Sequence, residues 1–251
     1  MNEDYKEAFE KTRVAGSIAA NALNEVNKII RPGISTAEID KVCYEFINDN
    51  NAYSAPLFYR GFPKSCCTSA NHVVCHGIPS DKILKEGDIV NVDVTALKDG
   101  WHGDTSRMFK IGEVSIKAEK LINTTYESLM KAIKIIKDGI HLGDIGSTIQ
   151  THVETQGFSV VQDFCGHGIG ESFHKEPNIL HYGEKGTGEK LKAGMIFTIE
   201  PMINLGKYET KVLNDGWTAV TKDKTLSAQF EHTVGITKDG YEIFTLSKKI
   251  S

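Results

Sequence analysis

The stretch DVTALKDGWHGDTSRMF, residues 93–109, carries two acids placed to act together. Asp93 interrupts a run of apolar strand formers, and Asp104 follows a glycine-rich turn. With Asp99-Gly100 as a two-residue turn, the segment folds into a hairpin in which Asp93 lies opposite Ser106. Asp104 then shares a face with Asp93 as a diagonal neighbour, ~7–8 Å away at the backbone and closer at the side chain. Two carboxylates converging on a half-buried sheet repel each other and lose hydration, so something positive must offset them. Lys98 stands beside the turn and Arg107 points to the opposite face, which leaves a metal ion as the economical counter-charge.

Further residues join this pair. Glu200 interrupts the apolar strand MIFTIEP, and Glu231 stands within the strand-like QFEHTVGI. Among nine histidines, His76 (VCHGIP), His167 (FCGHGIG) and His174 (SFHKEP) have the contexts most open to a ligand. Glycine on both sides lets the backbone approach closely and leaves an imidazole unobstructed, so His167 is the candidate ligand. GHGIGES is not a phosphate loop, because a G-x-G-x-x-G frame from Gly166 needs glycine where Glu171 stands. Asp93, Asp104, Glu200, Glu231 and His167 carry too much negative charge for one divalent ion. They suit two, bridged by carboxylates and about 3.5–4 Å apart. Oxygen donors without a thiolate favour Mn²⁺, Fe²⁺ or Co²⁺, with Zn²⁺ also accommodated.

The elements that must position these groups come in two rounds. Apolar residues from Ala15 to Ile30 recur at helical spacing, which predicts a helix over 4–30 that ends at RPG. STAE opens a second helix with Ser35 and Glu38 as a capping box. Strands fill 65–110, then a helix is predicted over about 116–137, a shorter one carries Ile145, Ile149 and Val153, and strands return from about 158. RPGISTAEID (31–40) resembles KDGIHLGDIG (137–146), and LKEGDIVNVDV (84–94) resembles LKAGMIFTIEP (191–201), which places Asp93 on Glu200. The two offsets differ by one residue, so the chain reads as a duplication with halves of about 10–112 and 113–248. The expected architecture is α+β: one catalytic domain over 1–251 with a curved antiparallel sheet, helices on one face and the site on the other, near a pseudo-two-fold axis.

Composition narrows the partners. Hydrophobic residues make up 40% and charged residues 25% of 251 positions, ordinary for a globular protein, and the net charge of −4 argues against a DNA-binding role driven by bulk electrostatics. The charged N-terminus lacks a signal-peptide core and no apolar run approaches ~18 residues, which predicts a cytoplasmic protein without a membrane span. Five cysteines, odd in number and without a C-x-x-C pair, fit neither a disulfide framework nor a zinc ribbon. Cys43, Cys75 and Cys165 are expected to be buried, inert thiols, and the chain is expected to be a monomer.

The segments NHVVCHGIP, GDIVNVDVTALKDGWHGDTSRMF, GHGIGESFHKEPNILHY, GMIFTIEPMIN and LSAQFEHTVGITKDG together resemble the type I methionine aminopeptidases, a family of pita-bread metallopeptidases, over about residues 8–248. The resemblance implies that Asp93, Asp104, His167, Glu200 and Glu231 hold two divalent ions with a hydroxide between them. It implies that His76 and His174 bind the substrate and orient the scissile amide, with Glu200 as proton shuttle. Tyr59, Phe62, Cys67, Phe173 and Trp217 would form a methionine pocket, in which a soft thiol suits a thioether. The implied substrates are peptides and nascent chains that begin with methionine followed by a small residue, with transient action at the ribosome. Two positions depart from the family pattern: Arg60 stands where many members carry histidine, and Pro56 where many carry cysteine. A proline-directed peptidase of the same fold would be expected to bring an extra N-terminal domain. A non-catalytic peptide-binding module, or a metal-buffering protein, would not need this ligand set with its glycine-flanked histidines.

Overall fold

The structure, a computed structural model, describes residues 5–247. Residue 4, the expected start of the first helix, and residue 248, the expected end of the second half, lie outside them. Helix α1 (Lys6–Ile29) buries the predicted stripe of Ala15, Ala19, Ala22, Leu23 and Val26. Helix α2 (Thr36–Asp49) opens on the predicted capping box: the Glu38 N–H donates to Ser35 Oγ, and the Ser35 N–H donates to the Glu38 carboxylate. The chain continues through β1 (Tyr53–Ser54), a 3₁₀ turn at Tyr59–Gly61, β2 (Cys67–Ala70), β3 (Val73–Cys75), β4 (Ile89–Lys98) and β5 (Trp101–Lys110). Helix α3 (Ile116–Ile135), capped by Ser115, and helix α4 (Leu142–Thr155) begin the second round. They are followed by β6 (Ser159–Val160), β7 (Gly166–Gly168), β8 (Lys175–Ile179), β9 (Ile196–Ile199) and β10 (Met202–Asn204). The last strands are β11 (Thr210–Val212), β12 (Ala219–Thr221), β13 (Ser227–Gln229), β14 (Glu231–Ile236) and β15 (Tyr241–Ile243).

The hairpin forms in the register read from its turn. Asp99 and Gly100 adopt φ of +48° and +81°, the two left-handed residues of a type I′ turn. Lys98 pairs with Trp101, Thr95 with Asp104 and Asp93 with Ser106. A nine-stranded sheet runs β1-β4-β5-β14-β9-β7-β8, with β2 added on β4 and β15 on β14. Two three-stranded sheets, β13-β10-β6 and β11-β12-β3, complete the strands among the described residues.

Equivalent contacts recur in the two rounds. Gly33 N–H donates to Leu84 O at 2.8 Å, and Gly139 N–H donates to Leu191 O at 2.9 Å. Ser35 bridges Ile83 as His141 bridges Lys190. Gly87 and Gly194, at φ of +86° and +95°, turn the chain into β4 and β9, a conformation that favours glycine. At the centre β5 pairs with β14 antiparallel, flanked by β4 on one side and β9 on the other, so the local two-fold falls on the β5–β14 seam.

Helices α1 and α2 pack on Val90, Val92, Val94 and Ala96 of β4, while α3 and α4 pack around Phe197, Ile199, Val234 and Ile236. A Cβ at Gly103 of β5 would overlap the backbone of Gly16, so α1 rests on the sheet backbone to backbone there. Alternation along β4 turns Asn91, Asp93 and Thr95 to the face opposite that helical layer. No helix among the described residues is long and apolar enough to cross a membrane.

Candidate metal centre

Five neighbouring strands each contribute one donor. In sheet order these are Asp93 on β4, Asp104 on β5, Glu231 at the start of β14, Glu200 directly after β9, and His167 in β7. Glu231 lies opposite Ser106, the same residue that Asp93 faces from the other side, so three acids meet across the seam. His167 Nε2 is 3.7 Å from Asp104 Oδ2 and 3.6 Å from Glu200 Oε1. One donor atom each from Asp104, His167 and Glu231 lie within 4.8 Å of one another.

The surrounding contacts leave these donors aimed at a common space. Thr95 Oγ1 donates to Asp104 Oδ1 at 2.7 Å, Thr198 Oγ1 donates to Glu200 Oε1 at 2.8 Å, and Gln229 Nε2 donates to Glu200 Oε2 at 3.2 Å. His167 Nδ1 lies 3.1 Å from the Gly168 carbonyl, which can only accept, so the ring proton sits there and the Nε2 lone pair faces the acids. Asp93 Oδ1 and Glu231 Oε1 are buried without a hydrogen-bond partner. Among the described residues no Lys or Arg pairs with any of the four acids: Lys98 donates to Asn51 O, and Arg107 reaches Asn24 on the helix side.

Electrostatics tell the same story. Burial pushes the Asp93 carboxyl up to about 7 and Glu200 to about 8. Asp104 and Glu231 are also raised well above the ordinary carboxylate range, first by burial and then by the neighbouring acids. Burial holds the His167 imidazole down at about 4, so it is neutral at pH 7 and adds no compensating charge. Four converging carboxyls, Asp104 and Glu231 buried and Asp93 and Glu200 partly so, leave two orphaned oxygens facing a neutral imidazole lone pair, an unfavourable cluster unless cations enter it. The donor set fits hard divalent ions.

All twelve residues singled out from the sequence border one cavity of about 340 Å³. Phe62 and Trp217 meet edge to face at 5.2 Å, the Tyr59 and Phe173 rings lie tilted at 4.8 Å, and Cys67 lies directly across from Asp93. His174 Nδ1 is 3.0 Å from the Tyr59 hydroxyl, and its ring lies 4.1 Å from that of His167. Partial burial, with His167 and His76 alongside, holds His174 at about 3. His76 follows β3 at φ +56°, a strained setting that concentrates at functional sites, and its ring meets Phe164 and Trp217 edge-on. A Cβ at Gly77 would strike the Thr68 carbonyl and one at Gly168 the Glu176 carbonyl, so the glycines beside these imidazoles are required by close backbone approach.

Pro56 and Arg60 also line the cavity, and among the described residues Arg60 is the one Lys or Arg that does so. Thr95, Thr198 and Gln229 were not anticipated. The two threonines sit two residues from an acid on the same strand face, a spacing the alternation could have flagged; Gln229 carries no local signal. Cys165 differs from the expectation: it is half-buried rather than buried, because it borders the open cavity, as Cys75 also does.

Metallopeptidase family M24 matches residues 10–238, and the chain belongs to that family. Among curated relatives, methionine aminopeptidase from Rickettsia prowazekii is 57% identical over 96% of this chain and 93% of its own length. Methionine aminopeptidase from Escherichia coli K12 is 54% identical over 96% and 92%. The crystal structure of the Rickettsia prowazekii enzyme superposes with a TM-score of 0.95 at 56% identity, covering 96% of this chain and 98% of that one. A prolidase from Pyrococcus furiosus shares the fold alone, at TM-score 0.76 and 24% identity, and this chain covers 65% of it. The architecture is thus the pita-bread fold, and membership of the family implies divalent metal ions.

Proposed function

We propose that this protein hydrolyses the first peptide bond of polypeptides that begin with methionine and releases that methionine. The observation that carries the reading is the convergence of four carboxyls and one imidazole from five adjacent strands at the floor of an aromatic-lined cavity. Asp93, Asp104, His167, Glu200 and Glu231 would hold two divalent ions: Co²⁺, Mn²⁺, Fe²⁺ or Zn²⁺. Such a pair supplies Lewis acidity and a nucleophilic hydroxide near neutral pH.

The chain's own residues do the rest. Tyr59, Phe62, Cys67, Phe173 and Trp217 take the unbranched thioether side chain of the substrate. With two ions held there, a free, neutral α-amino nitrogen of the substrate would serve as a further ligand at the centre, which restricts cleavage to the first residue. His76 hydrogen-bonds the scissile nitrogen, and His174, oriented by the Tyr59 hydroxyl, supports the developing oxyanion. Glu200, held at both oxygens by Thr198 and Gln229, passes the proton to the leaving amine. Likeness to the methionine aminopeptidases supports a preference for a small second residue. The setting is the cytoplasm, where a monomer meets nascent chains at the ribosome.

Met-Ala-Ser and its N-acetylated form, assayed with Mn²⁺ or Co²⁺ and after chelation, test the proposal. Metal-dependent release of methionine from the free peptide alone is expected. Release from the acetylated peptide, or preference for an Xaa-Pro dipeptide, would overturn it.

A further inference from the structure

A second cavity, about 410 Å³, opens on the helix-covered face, bounded by α1, α3, β5, β14 and the segment 245–247. It lies behind the β5–β14 seam, so it is separate from the metal centre. Its single Lys or Arg is Arg107, and no Asp or Glu lines it among the described residues. The guanidinium is half-buried, yet its partners among the described residues are neutral: Asn24 Oδ1 at 3.3 Å, Ser247 Oγ at 3.4 Å, and the Phe109 ring with its centroid 6.0 Å away. Arg13, on the surface, shows the contrast, because it makes a two-point pair with Glu242 at 2.6 and 3.0 Å. A guanidinium offers five donors in a planar fork that matches a carboxylate, and here two long contacts occupy only part of it. Leu23, Ile122, Met108 and Phe230 give the wall an apolar section, beside the uncharged polar side chains of Thr105, Asn123, Tyr126 and Thr245.

We propose that this cavity binds a small organic monoanion, with its carboxylate on the Arg107 fork and its apolar body against Leu23, Ile122, Met108 and Phe230. A single guanidinium does not balance a dianion, which selects a carboxylate over inorganic phosphate. Nothing in the peptidase reading requires this site. Arg107 faces away from the acids, so its replacement leaves the metal centre intact.

Benzoate serves as the probe, titrated calorimetrically into the Mn²⁺-loaded protein, with benzyl alcohol and inorganic phosphate as comparators. Any benzoate held at the metal centre is common to all variants, so the difference between them reports the second cavity. Arg107→Met is expected to weaken one benzoate-binding event roughly tenfold or more, as loss of a charge-assisted pair implies. Turnover of Met-Ala-Ser should stay at the parent level, and Arg107→Lys should retain part of the binding. Identical isotherms for parent and Arg107→Met, or tighter binding of phosphate or benzyl alcohol than of benzoate, would overturn the proposal. Should Arg107→Met fail to fold, soaking parent crystals in 4-bromobenzoate decides the matter. A bromine anomalous peak beside Arg107 supports the site, and a peak confined to the metal centre rejects it.

Discussion

Asp93→Asn should stabilise the metal-free protein while destroying its activity. In the folded chain burial lifts the Asp93 carboxyl from its ordinary 3.8 to about 7. A rise of that size corresponds to on the order of 4 kcal/mol. Cavity water beside the partly buried side chain trims the figure to roughly 3 kcal/mol. The folded pKa lies above the unfolded one, so the native state carries no penalty below about pH 4 and loses stability as pH rises through about 7. Asparagine keeps the shape and removes the charge. At pH 7.5 the metal-free variant should therefore melt roughly 6–12 °C above the parent, and at pH 4 the two should coincide. Buried histidines such as His167 and His181, held at about 4 and about 3, weaken both proteins alike below pH 6.5 and cancel in the comparison. Scanning calorimetry of chelator-treated samples at the two pH values provides the test, followed by Mn²⁺ addition, which should raise the parent's melting temperature far more than the variant's. Equal melting temperatures at pH 7.5, or a gain of the same size at pH 4, would refute the electrostatic reasoning.

Three further outcomes follow from the contacts around the site. Thr198→Val removes the hydroxyl that donates to Glu200 and accepts from the His167 N–H, and should weaken Mn²⁺ binding roughly 10–100-fold by calorimetric titration. His76→Ala should lower kcat roughly 10²–10⁴-fold while metal content by elemental analysis matches the parent, since His76 lines the substrate cavity without being one of the five donors. Gly103→Ala drives a methyl into the Gly16 backbone, which cannot swing aside as a side chain would, and should cost about 3 kcal/mol or more in chemical denaturation.

Much of this was legible along the chain because the signals are local or periodic. The Asp99-Gly100 turn fixes the hairpin register, and the register alone brings Asp93 and Asp104 to one face. The repeat equates Asp93 with Glu200, 107 residues on. It could not equate Asp104 with Glu231, because β4 and β5 are joined by two residues whereas β9 and β14 are joined by the excursion that holds β10–β13. Gln229 sits in that excursion and reaches Glu200 only through tertiary packing. Arg107 shows the same limit in another form. Alternation places it away from the acids, but only the packing of α1 and α3 on either side makes a cavity around it.

Anomalous diffraction from crystals grown with Mn²⁺ decides whether five side chains from five adjacent strands together hold two divalent ions. Two manganese peaks are expected within the cluster, between them coordinated by Asp93, Asp104, His167, Glu200 and Glu231. Manganese bound elsewhere, or a cluster whose acids stay uncoordinated in an active, metal-loaded protein, would contradict that assignment.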